Sequence, residues 1–295
     1  MNIKTLLCSC ALLFTLMSCG PAPESTPTPS TTPTSTTPTS ADAPAATEMA
    51  KAPDTPVETT SSVQPCIFRL GYEAWEPYQY IGVDQKAAGL DIELIQAIVS
   101  EMECQLEFRQ GHWSDLIVAL KKGELDLLPG ASKTAARESF AYFSDSYRNE
   151  KFVLFIRSTD TALSQYATLP ELLAAGKKVG IVSDYYYGEA VGTLYNDANL
   201  KAAFVESPLS ELNLKRLQDE EIDAMFEDSL VGGAMLRRKG LSDQMGQHTI
   251  DLGQSDVYLM FGKNTISEAQ VAAFNQALQK IRQNGSYQAI LAKYQ

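Results

Sequence analysis

The sequence predicts an α/β fold with parallel-rich sheets, and three observations predict it. From Cys66 onward short apolar runs alternate with stretches whose apolar residues recur at helical spacing. Glycine, proline and small polar residues mark the junctions. About 230 residues lie in this region, enough for one large domain or two smaller lobes.

The elements follow in order. Ile67–Gly71 reads as a buried strand. Asp91 is placed to cap a helix whose apolar residues Ile92, Ile95, Ile98, Val99 and Met102 share one face. Leu106–Phe108 is the next strand. A helix opens at Ser114, runs through Leu116, Ile117 and Leu120, and ends at Gly123. Leu125–Leu128 is a third strand, stopped by Pro129-Gly130. Strand, helix, strand, helix, strand is the pattern of a parallel sheet with helices on its faces, and ligands bind outside the carboxyl ends of such strands. A second series has a helix starting at Pro170 after Thr168, with strands at Lys178–Val182, Ala203–Val205 and Glu221–Phe226. A late strand, Val257–Phe261, precedes a helix through Val271, Phe274, Leu278 and Ile281. Gly285 separates it from a last helix over Tyr287, Ile290 and Leu291.

The first 65 residues are of another kind. The apolar run Leu6–Met17 is shorter than the roughly 20 residues a membrane span needs, and has the length of a signal-peptide core. It ends in Leu16-Met17-Ser18-Cys19-Gly20, which resembles the lipobox of bacterial lipoproteins. Residues 1–18 are then a signal peptide and Cys19 the lipid-bearing first residue; a plain secretory cleavage near Ala22 is the alternative. Residues 19–65 are rich in Pro, Thr and Ser and nearly without apolar side chains. Such a segment cannot offset its ordering entropy, and reads as a tether or a glycosylated stalk.

Formal net charge is −12, which argues against nucleic-acid binding. Only His112 and His248 are present, with no cluster at metal-ligand spacing and no nucleophile motif beside them, so no metal and no cofactor is expected. Of five cysteines, Cys66 and Cys104 fall in the folded part. In an exported protein they suggest a disulfide, with two buried thiols as the alternative.

Several motifs carry a family resemblance. Gly71-Tyr72-Glu73-Ala74-Trp75-Glu76-Pro77-Tyr78 comes first, then Gly89-Leu90-Asp91-Ile92-Glu93-Leu94. Gly130-Ala131-Ser132-Lys133-Thr134-Ala135-Ala136-Arg137 is followed by Phe143-Ser144-Asp145-Ser146-Tyr147, and later by Asp223-Ala224-Met225-Phe226-Glu227-Asp228. In order and spacing these resemble the amino-acid-binding branch of the type II periplasmic binding proteins, solute-binding protein family 3, over nearly all of residues 66–295. The resemblance implies a two-lobed, flytrap-like fold. The first lobe takes 66–156 and returns as 257–295, and the second takes 157–256. The crossings are expected near Phe155 and Tyr258, with closure by hinge motion.

The resemblance also implies the site. Arg137 is expected to fork onto a ligand carboxylate with Ser132, the Gly130 carbonyl and Asp228 to face its ammonium, and Thr134 to cap the helix leading to Arg137. The alternatives are a surface ion pair of Arg137 with Glu138 and a plain helix cap at Asp228. Trp75 and Tyr78 are candidates for stacking, Glu73 for reading a basic side chain. Asp184-Tyr185-Tyr186-Tyr187 stands where the family has Gly-Thr-Thr, so Tyr185 and Tyr186 either narrow the pocket or stack on a flat group. The expected function is capture of an amino acid or related zwitterion by a monomeric, membrane-anchored envelope protein, for a transporter permease. A sensor for a signalling partner and a dehydratase derived from the same fold are the other readings.

Overall fold

The computed structural model describes residues 66–294. The lipobox cysteine Cys19, the signal segment and the tether lie outside the described residues.

The chain starts with β1 (Ile67–Tyr72), a short hairpin β2 (Tyr80–Ile81) and β3 (Ala87–Ala88), then α1 (Leu90–Glu101), β4 (Gln105–Gln110), α2 (Trp113–Lys121), β5 (Leu127–Ala131), α3 (Ala135–Glu138), β6 (Ala141–Phe143) and β7 (Arg148–Glu150). It continues with β8 (Phe152–Arg157), α4 (Leu169–Ala174), β9 (Val179–Val182), α5 (Glu189–Asn196), β10 (Phe204–Ser207), α6 (Ser210–Gln218), β11 (Ala224–Asp228), α7 (Ser229–Lys239) and β12 (Met245–Gln247). It returns through β13 (Ser255–Gly262), α8 (Glu268–Gln283) and α9 (Ser286–Leu291).

Two main sheets result, each the centre of a lobe. The first has the order β4-β1-β5-β13-β6, with β7 paired to β13. Its β1, β4 and β5 are parallel, as the strand–helix alternation predicts, and β13 joins antiparallel to β5. The second has the order β10-β9-β11-β8-β12, with β9, β10 and β11 parallel and β8 antiparallel to β11. Phe155 does not lie at a crossing. It pairs with Met225 and Gln247 inside the second sheet. The chain passes between sheets just before β8, between Glu150 and Phe152, and returns between β12 and β13, ahead of Tyr258, which pairs with Ala131 inside the first sheet. The apolar run that marks β8 hides this point, because a strand central in one lobe and a strand crossing between lobes carry the same side chains.

Cys66 and Cys104 are joined in a disulfide with their Cα atoms 4.6 Å apart. Ile67 pairs with Gln105, so the cysteines stand side by side just before two parallel strands. α4 begins with a capping box, in which the Thr168 hydroxyl accepts from the Glu171 N–H and the Glu171 carboxylate reaches back to the Thr168 N–H.

Asp91 does not cap α1. Gly89 holds that position with φ 116°, and a Cβ there would lie 2.3 Å from the Tyr78 carbonyl oxygen. Asp91 is instead fully buried under the site. Arg148 grips it with two bonds, Nε to Oδ1 at 2.6 Å and Nη2 to Oδ2 at 3.0 Å, and Gln79 donates to the same Oδ2 at 3.0 Å. The Arg148 guanidinium lies 3.7 Å from the Tyr78 ring centre. A charge pair this deep is tolerable only with its hydrogen bonds made, which is the case here.

Candidate functional site

The carboxyl ends of β1 and β5 and the loop after β9 converge where the lobes meet. A cavity there is lined by the Glu73–Gln79 loop, by Trp113, by Gly130, Ser132 and Arg137, by Glu150 and Phe152 at the crossing, and by Tyr185 and Tyr186.

Arg137 is positioned by a short helix. The Thr134 hydroxyl accepts from the Arg137 N–H, the cap the sequence predicts. The side chain is buried. Its Nη1 donates to the Ser132 carbonyl at 2.9 Å and its Nη2 to the Asp184 carbonyl at 2.8 Å, and the Trp113 ring lies 5.3 Å away. Burial pulls its pKa down, against the nearby Glu150 and Asp184 charges. It makes no ion pair with Glu138, which meets Lys133 instead. Two of its five N–H groups are used by these carbonyls, which leaves a fork available to an anion.

Gly130 and Ser132 stand beside it. Gly130 has φ +72°, and a Cβ there would meet Gln79 Nε2 at 2.9 Å, so a larger residue would disturb the Asp91 network. Its N–H donates to the Tyr147 hydroxyl at 2.9 Å. The Ser132 hydroxyl donates to Glu150 Oε1 at 3.2 Å.

The cavity holds several acids. Glu73 accepts from the Trp113 N–H at 3.3 Å and, across the cleft, from the Tyr185 hydroxyl at 2.6 Å. Burial raises its pKa, and these two donors hold it down in part. Glu150 is pushed up to about 7 by burial, with Arg148 opposing and Asp228 adding to the shift. Behind the wall Glu227, fully buried, is pushed up to about 8, again chiefly by burial. It accepts from the Trp75 indole N–H at 3.0 Å, another bond between the lobes.

The lobes are closed. Besides the bonds of Trp75, Tyr185 and Arg137, the Trp113 indole donates to the Asp184 carbonyl at 3.2 Å, and Arg238 pairs with Glu76 at 2.6 Å at the rim. The cavity is only about 30 Å³, room for about two water molecules. A second cavity of about 220 Å³ adjoins it, with Glu73, Trp75 and Tyr185 as the shared wall and His112, Ser210 and Glu211 beyond. Small-molecule sites typically run to about 300–1,000 Å³. A molecule of that size therefore enters only when the lobes part or when the Tyr185–Glu73 wall gives way.

The residues named from the sequence divide into two groups. Arg137, Ser132, Gly130, Glu73, Trp75, Tyr185 and Tyr186 come together around the cavity. Tyr78 lies in the core beneath it, against Arg148 and with its ring 5.1 Å from that of Trp75. Asp228 does not line the cavity. It caps α7, accepting from the Leu230 and Val231 N–H groups, and from the Lys151 N–H on its other oxygen. Tyr187 is also in the core, stacked on Phe226 at 5.0 Å.

Residues 68–295 match the family described as bacterial extracellular solute-binding proteins, family 3. The chain belongs to that family. Among similar proteins, a probable histidine-binding protein of Neisseria gonorrhoeae is 25% identical over 77% of this chain and 82% of its own length. An arginine-binding periplasmic protein of Mannheimia haemolytica is 24% identical over 75% of this chain and 87% of its own. Among solved structures, an ancestral arginine-binding protein bound to arginine superposes with a TM-score of 0.66 at 23% identity, covering 77% of this chain and 97% of its own. A histidine kinase sensor domain with similarity to periplasmic binding proteins gives 0.68 at 24%, covering 78% and 96%. At such identities the structural likeness establishes the fold. Among the described residues of this family 3 member no helix is long and apolar enough to cross a membrane.

The sequence pointed to most of the cavity but passed over Gln79, Trp113 as a wall residue, and Glu150. No local signal marks Glu150: Asn149-Glu150-Lys151 reads as an ordinary polar flank of the apolar run Phe152–Ile156.

Proposed function

We propose that this solute-binding protein captures an amino acid, with a cationic side chain favoured, and presents it to an ABC-type transporter. One observation carries the reading: a buried arginine with spare N–H donors, beside the Ser132 hydroxyl, faces a cavity between two closed lobes. A planar guanidinium fork suits a carboxylate. The acids Glu73 and Glu150 outnumber the one arginine in the cavity wall, which favours a ligand whose positive charge exceeds its negative. Glu73, on the far side of the cavity next to the second one, is placed to meet a cationic side chain, and the histidine- and arginine-binding relatives support this choice. Ligand-driven closure requires contacts from both lobes, which Arg137 and Ser132 on one side and Tyr185 and Tyr186 on the other can supply. The 19–65 segment would tether the lobes to a membrane through a lipid on Cys19, leaving them free to reach a permease. We read the protein as a binder, not an enzyme.

The test is calorimetry of the folded protein against the common amino acids. Arg137→Ala should weaken the best ligand by roughly 30- to several-thousand-fold, as truncation at a buried charge pair does. Arg137→Lys should recover part of this, since an ammonium is a single point donor. Binding unchanged in Arg137→Ala would sink the site assignment. Incubated ligands should be recovered chemically unchanged.

A further inference from the structure

We propose that Glu227 is a positioning residue for Trp75, and that it holds the cleft closed as a neutral carboxylic acid. It accepts the Trp75 indole N–H from the opposite lobe, and each opening of the cleft releases its proton. The inference goes beyond the ligand reading above and stands without it.

Trp75 belongs to the loop after β1 in the first lobe and lines both cavities. Glu227 lies on β11 of the second lobe, paired with Val153 of β8, and is only 1% exposed. Its Oε1 accepts from the Trp75 indole at 3.0 Å and from the Asp228 N–H at 2.9 Å. Its Oε2 is buried as well and has no hydrogen-bond partner; the Ser210 hydroxyl of α6 approaches the carboxyl without completing a bond. Asp228 on the same strand and the Tyr185 and Tyr187 phenols of the loop after β9 complete its surroundings. None of these is a cation. Arg148, whose guanidinium lies 5.6 Å from the Trp75 ring, is already paired with Asp91. A carboxylate here would keep one oxygen dry and unpaired, at a heavy desolvation cost. A carboxylic acid avoids that cost, and its O–H can turn toward Ser210. Burial accordingly pushes the Glu227 pKa up to about 8.

When the lobes part, Trp75 leaves with the first sheet and Glu227 stays with the second. The indole bond breaks and water reaches the carboxyl, whose pKa returns toward the ordinary value of about 4.3. A group whose pKa is higher in the closed form stabilises that form fully below its open value. The stabilisation is lost as pH rises through the closed value. Opening therefore releases a proton over the window from about 4.3 to about 8. Across it the equilibrium moves toward the open form by up to about tenfold for each pH unit. The empty protein stays shut in acidic surroundings and opens more readily in alkaline ones.

The experiment follows hydrogen exchange at the Trp75 indole N–H in the ligand-free protein between about pH 6 and about pH 8, inside that window. Wild type, Glu227→Gln and Glu150→Gln are compared, and base catalysis of exchange is common to all three. Gln at position 227 keeps the acceptor for the indole and stands permanently for the protonated acid. Wild-type exchange should gain on the Glu227→Gln rate by up to about tenfold per pH unit. Glu150→Gln removes the other cleft acid, with its pKa raised to about 7, and should keep the wild-type steepness. In wild type the Glu227 carboxyl carbon should titrate well above the ordinary carboxylate range by NMR, a reading that needs no variant. A constant ratio of wild-type to Glu227→Gln rates overturns the proposal. So does a steepening that disappears in Glu150→Gln, or a Glu227 carboxyl that titrates in the ordinary range.

Discussion

The two walls of the cleft are built differently. The first lobe and the crossing give the cavity its chemistry: Arg137, Ser132, Gly130, Gln79, Glu73 and Glu150. The second lobe contributes two rings, Tyr185 and Tyr186, and through Asp184 a backbone carbonyl. Beneath the first wall lies a fully bonded network of Asp91, Arg148 and Gln79, with Tyr78 stacked on the arginine. Behind the second wall there is no buried ion pair among the described residues; Glu227 is bonded to the Trp75 indole, and Tyr187 packs into an aromatic cluster with Phe152 and Phe226. The difference suggests a division of labour. The first lobe holds polar groups in place before ligand arrives, which reduces the ordering cost of binding. The second excludes water by closing over them.

If the first wall is rigid because of its buried network, breaking that network should have the largest effect. Arg148→Ala leaves Asp91 without its cation at a fully buried position. Removing one partner of such a pair typically costs about 3–5 kcal/mol. Chemical denaturation should show a loss of this size, and ligand affinity should fall with it, since Gln79 and Gly130 form the wall that the pair supports. A double change to a fitted apolar pair, Arg148→Met with Asp91→Leu, should restore much of the stability but not the affinity. Equal recovery of both would mean that the network does not organise the site.

The disulfide sharpens the same comparison, because it sits in the rigid lobe but at the wrong end for binding. Cys66 and Cys104 precede β1 and β4, whereas the cavity is at the carboxyl ends of the strands. Closing a loop with a sequence separation of 38 is worth about 4 kcal/mol on the chain-entropy account, less any strain. The Cys66→Ser, Cys104→Ser variant should lose stability of that order while its affinity stays within about twofold. An intact mass that rises by two hydrogen atoms on reduction of the wild type checks that the bond is present.

Legibility from sequence followed the same division. The parallel strands, the helix cap at Thr134, the helix start beside Pro170, the paired cysteines and Arg137 all rest on local signals: alternation, capping residues, a turn, a family motif. Those signals do not reach across the chain. Asp91 at the start of an apolar helix reads as a cap, and only the fold brings Arg148, 57 positions later, against it. Asp228 at a strand end reads equally well as ligand receptor or cap, and its three backbone donors become visible only in three dimensions. The crossing at Glu150–Phe152 had no composition of its own.

A smaller effect comes from the acids whose pKa burial raises. The folded-state pKa values of Glu73, Glu150, Glu227 and Asp228 are all raised. A carboxyl raised in the folded state binds more protons there than in the unfolded chain. Its contribution is therefore fully present below the ordinary carboxylate range, near 4.3, and is lost as pH rises through the folded value. For Glu150 and Glu227 that window extends to about 7 and about 8. Ligand-free protein should melt at a higher temperature at pH 5 than at pH 8, and Glu227→Gln should flatten the profile at its alkaline end. A flat wild-type profile over that range would show that both acids are ionised throughout.

The mildest change tests the second wall alone. The Tyr185 hydroxyl reaches across the cleft to Glu73 Oε2 at 2.6 Å, and this bond is part of the partition between the two cavities. A ligand with a cationic side chain long enough to pass that partition must take Glu73 away from Tyr185. In the wild type the ligand then gains Glu73 but the protein loses a hydrogen bond between its lobes. Tyr185→Phe removes that competing bond and keeps the ring, which packs at right angles to Trp75 and Trp113. One hydrogen bond is worth about 1 kcal/mol net, so the affinity for L-arginine should rise by about fivefold. An amino acid with a short neutral side chain leaves the Tyr185–Glu73 bond in place, and its affinity should fall slightly, because the closed state has lost one tie. The two ligands should thus respond with opposite signs in the same variant. A tenfold or greater loss for both would mean that the Tyr185 hydroxyl contacts the ligand itself, and the second lobe would then be a chemical partner in recognition as much as a cover.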